Sequence, residues 1–110
     1  MIKTNFPRKV IKILSIAGSD NSAGAGIQGD LKTIQALGGY CSTAITTVTC
    51  QNSKKVYKTY NIPKSLIMSQ VKTIFNDFGF DAVKIGIIPT LTIAESLFSF
   101  FKKIKVPIIV

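Results

Sequence analysis

The sequence has 110 residues, of which 46% are apolar and 17% are charged. This length allows one ordinary domain or a part of a larger one, and the apolar content excludes a chain that stays mainly disordered. The absence of histidine excludes a Ser-His-Asp triad, a Cys-His dyad and every zinc site with histidine ligands. Five acids are the candidates for a general base or a metal ligand: Asp20, Asp30, Asp77, Asp81 and Glu95.

The net charge of +9 makes nucleic acid the first partner to consider. The basic residues are spread along the chain, however, and they show neither zinc-finger spacing nor an interleaved set of aromatic residues. We interpret them as a solvated basic surface, with a basic α/β module that binds nucleic acid as the alternative. Cys41 and Cys50 do not have CxxC spacing, and we expect both to be thiols that pack inside the protein. No run of apolar residues approaches the roughly 20 that cross a membrane, and we expect a cytoplasmic protein.

The first forty residues predict a strand, a loop and a helix. An apolar run at about residues 10–17, rich in isoleucine and valine, is typical of a buried strand. A dense cluster of turn-forming residues follows at 18–24. From Ala25 to the glycines at 38–39 the apolar residues keep helical spacing, which predicts an inward face formed by Ile27, Leu31, Ile34 and Leu37.

The middle of the chain predicts two strands and a second helix. Residues 40–50 are dominated by Thr, Val, Ile and Tyr and predict a strand, while the basic stretch 56–62 predicts a short edge strand. Pro63 suits the first turn of a helix that Gly79 ends. The predicted inward face of this helix consists of Ile67, Val71, Ile74, Phe75 and Phe78.

The last thirty residues repeat the alternation of strand and helix. Residues 82–86 predict a strand, Thr90 or Thr92 caps the next helix, and residues 106–110 begin a further strand. The predicted inward face of this helix consists of Ala94, Leu97, Phe98 and Phe101. The whole pattern predicts an α/β fold with a mostly parallel sheet. Ligands bind beyond the carboxyl ends of such strands.

Two familiar glycine patterns overlap in the loop after the first strand, and neither carries its usual function. Residues 24–29 match G-x-G-x-x-G, but no acid occurs between Leu31 and Asn76 to bind the ribose of a dinucleotide. The same residues have the glycine spacing of a P-loop, but Asp30 stands where a lysine would contact phosphate. The loop instead leads into a helix N-terminus, whose free amides can meet a ligand.

Three polar residues near the predicted strand ends have two interpretations each. On spacing alone, Asp30 in the first turns of a helix is expected to interact with the helix dipole and with solvent. Gln51 is either a loop cap or an amide that hydrogen-bonds a polar heterocycle. Lys84 lies among apolar strand residues, and we expect it to extend to the sheet edge rather than to pair with an acid.

Residues 16–33, I-A-G-S-D-N-S-A-G-A-G-I-Q-G-D-L-K-T, resemble the opening of bacterial hydroxymethylpyrimidine/phosphomethylpyrimidine kinases in the ribokinase-like superfamily. The pattern of that family is close to I-A-G-S-D-P-S-G-G-A-G-I-Q-A-D-L-K-T. The resemblance continues in order through residues 36–38, 46–52 and 83–86. It implies a ribokinase-like fold, with residues 1–110 as the N-terminal substrate-binding portion, truncated after about four strands, and with the C-terminal ATP-binding half absent.

The resemblance also implies an activity. It is the ATP-dependent phosphorylation of 4-amino-5-hydroxymethyl-2-methylpyrimidine and of its monophosphate in thiamine diphosphate biosynthesis, with ATP and Mg²⁺ as cofactors. It implies that the pyrimidine is bound by five residues: Gly18, Ala25, Asp30, Gln51 and Ile87. This role for Asp30 replaces the interpretation that its side chain interacts only with the helix dipole and solvent. We expect the catalytic groups in the absent half, no metal ligands in this chain, no turnover by the chain alone, and a homodimer for the full-length protein. A pyridoxal-kinase-like vitamin kinase is the alternative within the superfamily.

Four positions depart from the pattern of the family. Asn21 and Ala23 replace the usual Pro and Gly, Gly29 replaces Ala, and Ile87 stands where the family has Met. The change to Ile87 keeps an apolar contact. The change to Ala23 is the informative one, because glycine adopts loop conformations that are unfavourable for alanine.

Overall fold

A computed structural model describes residues 10–110 of the chain. The strands in these residues are β1 (Lys12–Ser19), β2 (Tyr40–Gln51), β3 (Val56–Asn61), β4 (Ala82–Ile85) and β5 (Ile108–Ile109). The helices are α1 (Gly26–Ala36), α2 (Lys64–Phe75) and α3 (Leu91–Phe101). The predicted alternation of strands and helices is therefore confirmed.

The strands form one sheet in the order β3-β2-β1-β4-β5. β1 pairs in parallel with β2 on one side and with β4 on the other, and β5 pairs in parallel with β4. β3 is antiparallel to β2 and lies at the edge, as its sequence predicted. The chain leaves β1 toward β2 and β3 and then returns past β1 to β4. Loops beside such a reversal are the usual place for a ligand in an open α/β sheet.

The main core lies between one face of the sheet and the helices α2 and α3. It consists of buried residues from β1, β2, β4, these helices and the segment between α2 and β4: Leu14, Ile16, Ala44, Ile67, Val71, Phe80, Val83, Ile85, Ile93, Leu97 and Phe101. Alternate strand residues point to opposite faces of a sheet. Helix α1 therefore covers the other face, since its Asp30 reaches Ser15, which lies between two core residues of β1.

The predicted inward face of α2 is too long, since Phe75 is 38% exposed and Phe78 lies beyond the end of the helix. The other two predicted helix faces also differ from the structure. In α1 the buried residue is Ile27, while Leu37 lies beyond the helix and is 83% exposed. In α3 the buried residues are Ile93, Leu97 and Phe101, and Phe98 is 43% exposed. The spacing located both helices, but a broad apolar stripe does not determine which of its edges packs on the sheet.

The starts of α2 and α3 agree with the sequence. Pro63 immediately precedes α2 as its N-cap residue. The hydroxyl of Thr90 accepts a hydrogen bond of 3.3 Å from the backbone N–H of Ile93 and caps α3. None of the helices within residues 10–110 is long and apolar enough to cross a membrane.

Candidate functional site

A cleft of about 470 Å³ opens at the carboxyl ends of β1 and β2. The loop before α1, the end of β2, strand β3 and the segment after β4 form its walls. Four of the five residues proposed from the sequence line it, namely Gly18, Ala25, Gln51 and Ile87. Asp30 is absent from the lining. The cleft therefore lies at the edge of the sheet where a ligand was expected.

Asp20 organises the loop between β1 and α1. Its Oδ1 accepts hydrogen bonds from the backbone N–H and the hydroxyl of Ser22 at 2.9 and 2.6 Å. Its Oδ2 accepts from the backbone N–H of Ala25 at 2.8 Å. These donors, the hydroxyl of Ser22 first, hold the pKa of Asp20 below its ordinary value. Both oxygens of this acid are thus committed to the shape of the loop.

Gln28 joins the first turn of α1 to the end of β1. Its Oε1 accepts from the backbone N–H of Asp20 at 2.8 Å, and its Nε2 donates to the hydroxyl of Ser19 at 2.8 Å. Ala25, the N-cap residue, makes no side-chain cap hydrogen bond. The free amides of the first helical turn therefore lie beside the cleft, which Ala25 and Gly26 line. The role of Gln28 was not predicted from the sequence.

Two residues of this loop have a left-handed backbone. Gly26 has φ +58°, and a Cβ there would lie 2.4 Å from the carbonyl oxygen of Gly18, so a larger residue does not fit. Ala23 has φ +65°. An alanine in this region costs about 1 kcal/mol relative to an ordinary conformation. The expectation that position 23 suits glycine better than alanine is confirmed.

Gln51, the last residue of β2, is tied to the opposite wall of the cleft. Its backbone N–H donates to Oδ1 of Asn21 at 2.8 Å, and its Nε2 donates to the hydroxyl of Thr49 at 2.7 Å. That hydroxyl in turn donates to the carbonyl oxygen of Ser19 at 2.6 Å. Within residues 10–110 no group donates a hydrogen bond to Oε1 of Gln51, which is left available as an acceptor beside the cleft.

The segment after β4 is anchored to both central strands. The backbone N–H of Gly86 donates to the carbonyl oxygen of Ile16 at 2.7 Å, and the hydroxyl of Thr46 donates to the carbonyl oxygen of Ile87 at 2.7 Å. A Cβ at Gly86 would lie 2.9 Å from the Cβ of Ala17, so the close approach requires glycine. These contacts place the exposed side chain of Ile87 at the cleft. The sequence did not predict the role of Thr46.

Asp30 lies on the α1 face of the sheet. Its Oδ2 accepts from the hydroxyl of Ser15 at 2.6 Å and from Nζ of Lys84 at 2.8 Å, and the Asp30 and Lys84 side chains are 20% and 37% exposed. Ser15 and Lys84 are register partners on β1 and β4, and α1 carries Asp30 over both. The prediction that Lys84 extends to the sheet edge without an acid is therefore wrong, because the two side chains share this face.

The two cysteines have different surroundings. Burial, and then the negative charge of Asp30, raise the pKa of the Cys41 thiol, which favours its protonated form. Cys50 is exposed. The expectation of a packing thiol is wrong for Cys50, because the end of β2 extends beyond the body of the sheet.

The described residues do not fit a Mg²⁺ site. Mg²⁺ requires near-octahedral oxygen ligands with carboxylates free to coordinate. Asp20 directs its oxygens to the loop, and Asp30 is bound to an ammonium group. Residues 10–110 also contain no group of three or more His, Cys, Asp or Glu side chains that could share a metal ion.

Comparison with known proteins identifies the family of the chain and several relatives. The sequence profile of a family described as phosphomethylpyrimidine kinase matches residues 20–110. The chain is 46% identical over 97 residues to the thiamine biosynthetic bifunctional enzyme TH1 of Arabidopsis thaliana, covering 88% of this chain and 19% of that protein. It is 41% identical over 97 residues to the hydroxymethylpyrimidine/phosphomethylpyrimidine kinase of Aquifex aeolicus, covering 88% of this chain and 38% of that protein.

Solved structures of kinases similar in sequence to this chain have the same fold. The crystal structure of phosphomethylpyrimidine kinase from Clostridium difficile matches with a TM-score of 0.80 and 43% identity, covering 84% of this chain and 40% of that chain. Pyridoxal kinase from Bacillus subtilis, solved as an ADP complex, matches with a TM-score of 0.78 and 38% identity, covering 86% and 37%. The fold is thus ribokinase-like, and the chain spans less than half the length of these relatives.

Proposed function

Since the chain belongs to the phosphomethylpyrimidine kinase family, we propose that its cleft binds the pyrimidine substrate of such a kinase. The substrate is 4-amino-5-hydroxymethyl-2-methylpyrimidine or its monophosphate, and the pathway is thiamine diphosphate biosynthesis. The observation that carries the proposal is the convergence of Gly18, Ala25, Gln51 and Ile87 on a single cleft. They come from four separate parts of the chain, and the resemblance assigns the same role to all four.

The chemistry of the cleft suits an aminopyrimidine. The free acceptor Oε1 of Gln51 can receive a hydrogen bond from the exocyclic amino group. The amides at the start of α1 can donate to a ring nitrogen, which only accepts. Val56 and Ile87 supply apolar surface for the ring and its methyl group. A few polar groups within an otherwise apolar lining are typical of a small-molecule site.

Asp30 stays in the proposed set on the resemblance alone. To contact a pyrimidine in the cleft, its side chain would have to turn away from Ser15 and Lys84, because Asp30 is not among the residues that line the cleft. Asp30→Asn tests this role, because asparagine can still accept the hydroxyl of Ser15. We expect weaker binding of the pyrimidine if the carboxylate reads the amino group, and unchanged binding if Asp30 only holds α1 on the sheet.

Phosphoryl transfer requires positioned groups that stabilise charge on the transferred phosphoryl. We propose that the groups that bind ATP and Mg²⁺, and the catalytic residues, lie in the part of the relatives that this chain does not match. The relatives solved with ADP or an ATP analogue support ATP as the phosphoryl donor. We further propose a cytoplasmic location and a homodimer for the full-length protein.

Binding measured by titration calorimetry tests the proposal. We expect the chain to bind the hydroxymethylpyrimidine in a one-to-one complex, Gln51→Ala to weaken binding by about tenfold through the loss of a hydrogen bond, and the exposed Gln35→Ala on α1 to change it little. A steady-state assay for ADP should show no turnover by the chain alone. Failure to bind the pyrimidine, or equal effects of both variants, would contradict the proposal.

A separate observation supports a second substrate class, the pyridoxal-like vitamins. The likeness to pyridoxal kinase of Bacillus subtilis is nearly as close as that to the phosphomethylpyrimidine kinase. Competition between pyridoxine and hydroxymethylpyrimidine separates the two, and we expect the pyrimidine to bind more tightly. Tighter binding of pyridoxine would assign the chain to the pyridoxal-kinase-like alternative.

A further inference from the structure

The turn between β2 and β3, with the start of β3, carries a cluster of positive charge. Lys54, Lys55 and Lys58 are all exposed there, and we call them the hairpin lysines. The sequence contains no Asp or Glu between Leu31 and Asn76, so no acid of the same segment balances them. This hairpin therefore carries three positive charges that no nearby acid in the sequence balances.

The turn that carries Lys54 and Lys55 lies at the mouth of the cleft, while Lys58 pairs with Cys50 on the hairpin face opposite to the lining residue Thr59. β1 ends at Ser19, which pairs with Val48, while β2 continues to Gln51. Three further residues extend a strand by about 10 Å. The hairpin therefore projects beyond the carboxyl edge of the sheet. Gln51 and Val56 pair with each other across it and both line the cleft, so the turn between them stands at its rim.

This turn has a defined shape. Oδ1 of Asn52 accepts hydrogen bonds from the backbone N–H groups of Lys54 and Lys55 at 2.9 and 3.3 Å, and the N–H of Asn52 donates to the carbonyl oxygen of Lys55 at 3.1 Å. Nζ of Lys55 lies 4.5 Å from the ring centre of Tyr57. The backbone that carries the charges is thus held in place beside the site.

The electrostatics at the rim favour an anion. Asp20 is the acid that lines the cleft, and three hydrogen bonds already satisfy its oxygens. A phosphate monoester carries about −1.5 to −2 charges near neutral pH. Lysine is a common binding partner of phosphate and acts as a point charge. Three lysines on one short hairpin therefore provide a positive field beside the mouth of the cleft.

We propose that the hairpin lysines bind the phosphate group of a ligand whose ring occupies the cleft. The chain would then bind a phosphorylated pyrimidine more tightly than the unphosphorylated one. The position of the ring rests on the proposed function, whereas the phosphate contact rests on the hairpin itself. A nucleotide phosphate is the other source of the same chemistry, and the experiment distinguishes the two.

The test compares two variants that lose the same charge. One combines Lys54→Gln, Lys55→Gln and Lys58→Gln. The control combines Lys72→Gln, Lys102→Gln and Lys103→Gln, three exposed lysines at the C-terminal ends of α2 and α3, where the chain returns to the amino ends of the strands. Thermal unfolding of both variants verifies that they fold like the parent chain.

Calorimetry at low salt measures the affinity for the pyrimidine, for its monophosphate and for ATP. We expect the parent chain to prefer the monophosphate by about tenfold, since three exposed charge pairs each contribute a factor of roughly two to the affinity. The hairpin variant should lose this preference and the control should keep it. Salt at 1 M should also abolish it, because the Debye length falls to about 3 Å. If the hairpin lysines raise the affinity for ATP and not for the monophosphate, the phosphate group that they bind belongs to a nucleotide.

Titration with inorganic pyrophosphate separates this proposal from the proposed function. We expect the amide NMR signals of residues 52–58 to shift with pyrophosphate alone, whether or not a pyrimidine binds. The proposal is wrong if these signals do not move, if the control variant loses as much affinity as the hairpin variant, or if a single-stranded oligonucleotide binds the hairpin more tightly than any of these small molecules.

Discussion

The two faces of the sheet are stabilised by different interactions. The face beneath α2 and α3 is filled by aliphatic and aromatic side chains such as Leu14, Val71 and Leu97. The face beneath α1 has the polar cluster of Ser15, Asp30 and Lys84. The stability of the first face therefore comes from buried apolar volume, and that of the second face from close backbone packing and hydrogen bonds. Since α1 begins at the cleft, the face that carries the site depends on the weaker kind of interaction.

The largest effect is expected on the apolar face. Leu97→Ala removes a fully buried side chain and should lower the free energy of unfolding by about 3 kcal/mol, because a cavity remains in the core. Its neighbour Phe98 is half-exposed on the same helix, and Phe98→Ala should lower it by about 1 kcal/mol. Urea denaturation measures both. Equal losses would show that α3 packs with the face predicted from the sequence.

A smaller loss is expected where α1 begins. Gly26→Ala places a Cβ 2.4 Å from a carbonyl oxygen at a residue with positive φ, and should lower the free energy of unfolding by about 2 kcal/mol. Gly38 also has positive φ, but no atom lies within 4 Å of its Cβ position. Gly38→Ala should lower the free energy of unfolding by about 1 kcal/mol, from backbone strain alone. If Gly26→Ala is no worse than this control, close backbone fit does not stabilise the loop.

The polar cluster should contribute less again. A double-mutant cycle with Asp30→Asn and Lys84→Gln should give a coupling energy of about 1 kcal/mol or less, because both side chains are partly exposed and screened by solvent. Thermal or urea unfolding at low and at high salt measures it, and the coupling should shrink as salt increases. A coupling that does not depend on salt would contradict an ionic interaction and favour hydrogen bonding through Ser15.

The smallest effect is a gain. Ala23→Gly should raise the free energy of unfolding by about 0.5 kcal/mol, because relief of the left-handed strain exceeds the greater entropy of glycine in the unfolded chain. Ala36→Gly, at the end of α1 in a helical conformation, should instead lower it by up to about 1 kcal/mol. Chemical denaturation of both variants compares them. A loss in both would mean that position 23 relaxes without strain.

The difference between the two faces also explains how far the sequence predicts the structure. Apolar periodicity reports burial, so it located the helices and strands of the core, including the stripe at Ile67 and Val71. It did not determine the packed edge of α3, where Phe98 was assigned inward. Patterns of turn residues located the loop after β1, and the strain at Ala23 followed from its difference from the family pattern.

The polar contacts of the site could not be predicted in the same way. Thr46 reaches the carbonyl oxygen of Ile87 and Lys84 reaches Asp30, across 41 and 54 residues of chain. Such partners are set by strand order and register, which the local composition does not encode. Gln51 and Gly18 were assigned through the family resemblance, because an isolated amide or glycine has many possible roles.

The position of β1, between β2 and β4, has a consequence for the order in which the cleft opens. Backbone amides exchange with solvent through local opening where a segment has few buried contacts, and through global unfolding where it is enclosed. The residues from Leu14 to Ile16 are buried and paired on both sides, so their amide protons should be among the slowest to exchange. β3 is exposed along its whole length and pairs on one side. The floor of the cleft is therefore rigid while its outer wall opens and closes many times before the molecule unfolds, and a ligand can be admitted without disturbing the strand on which it rests.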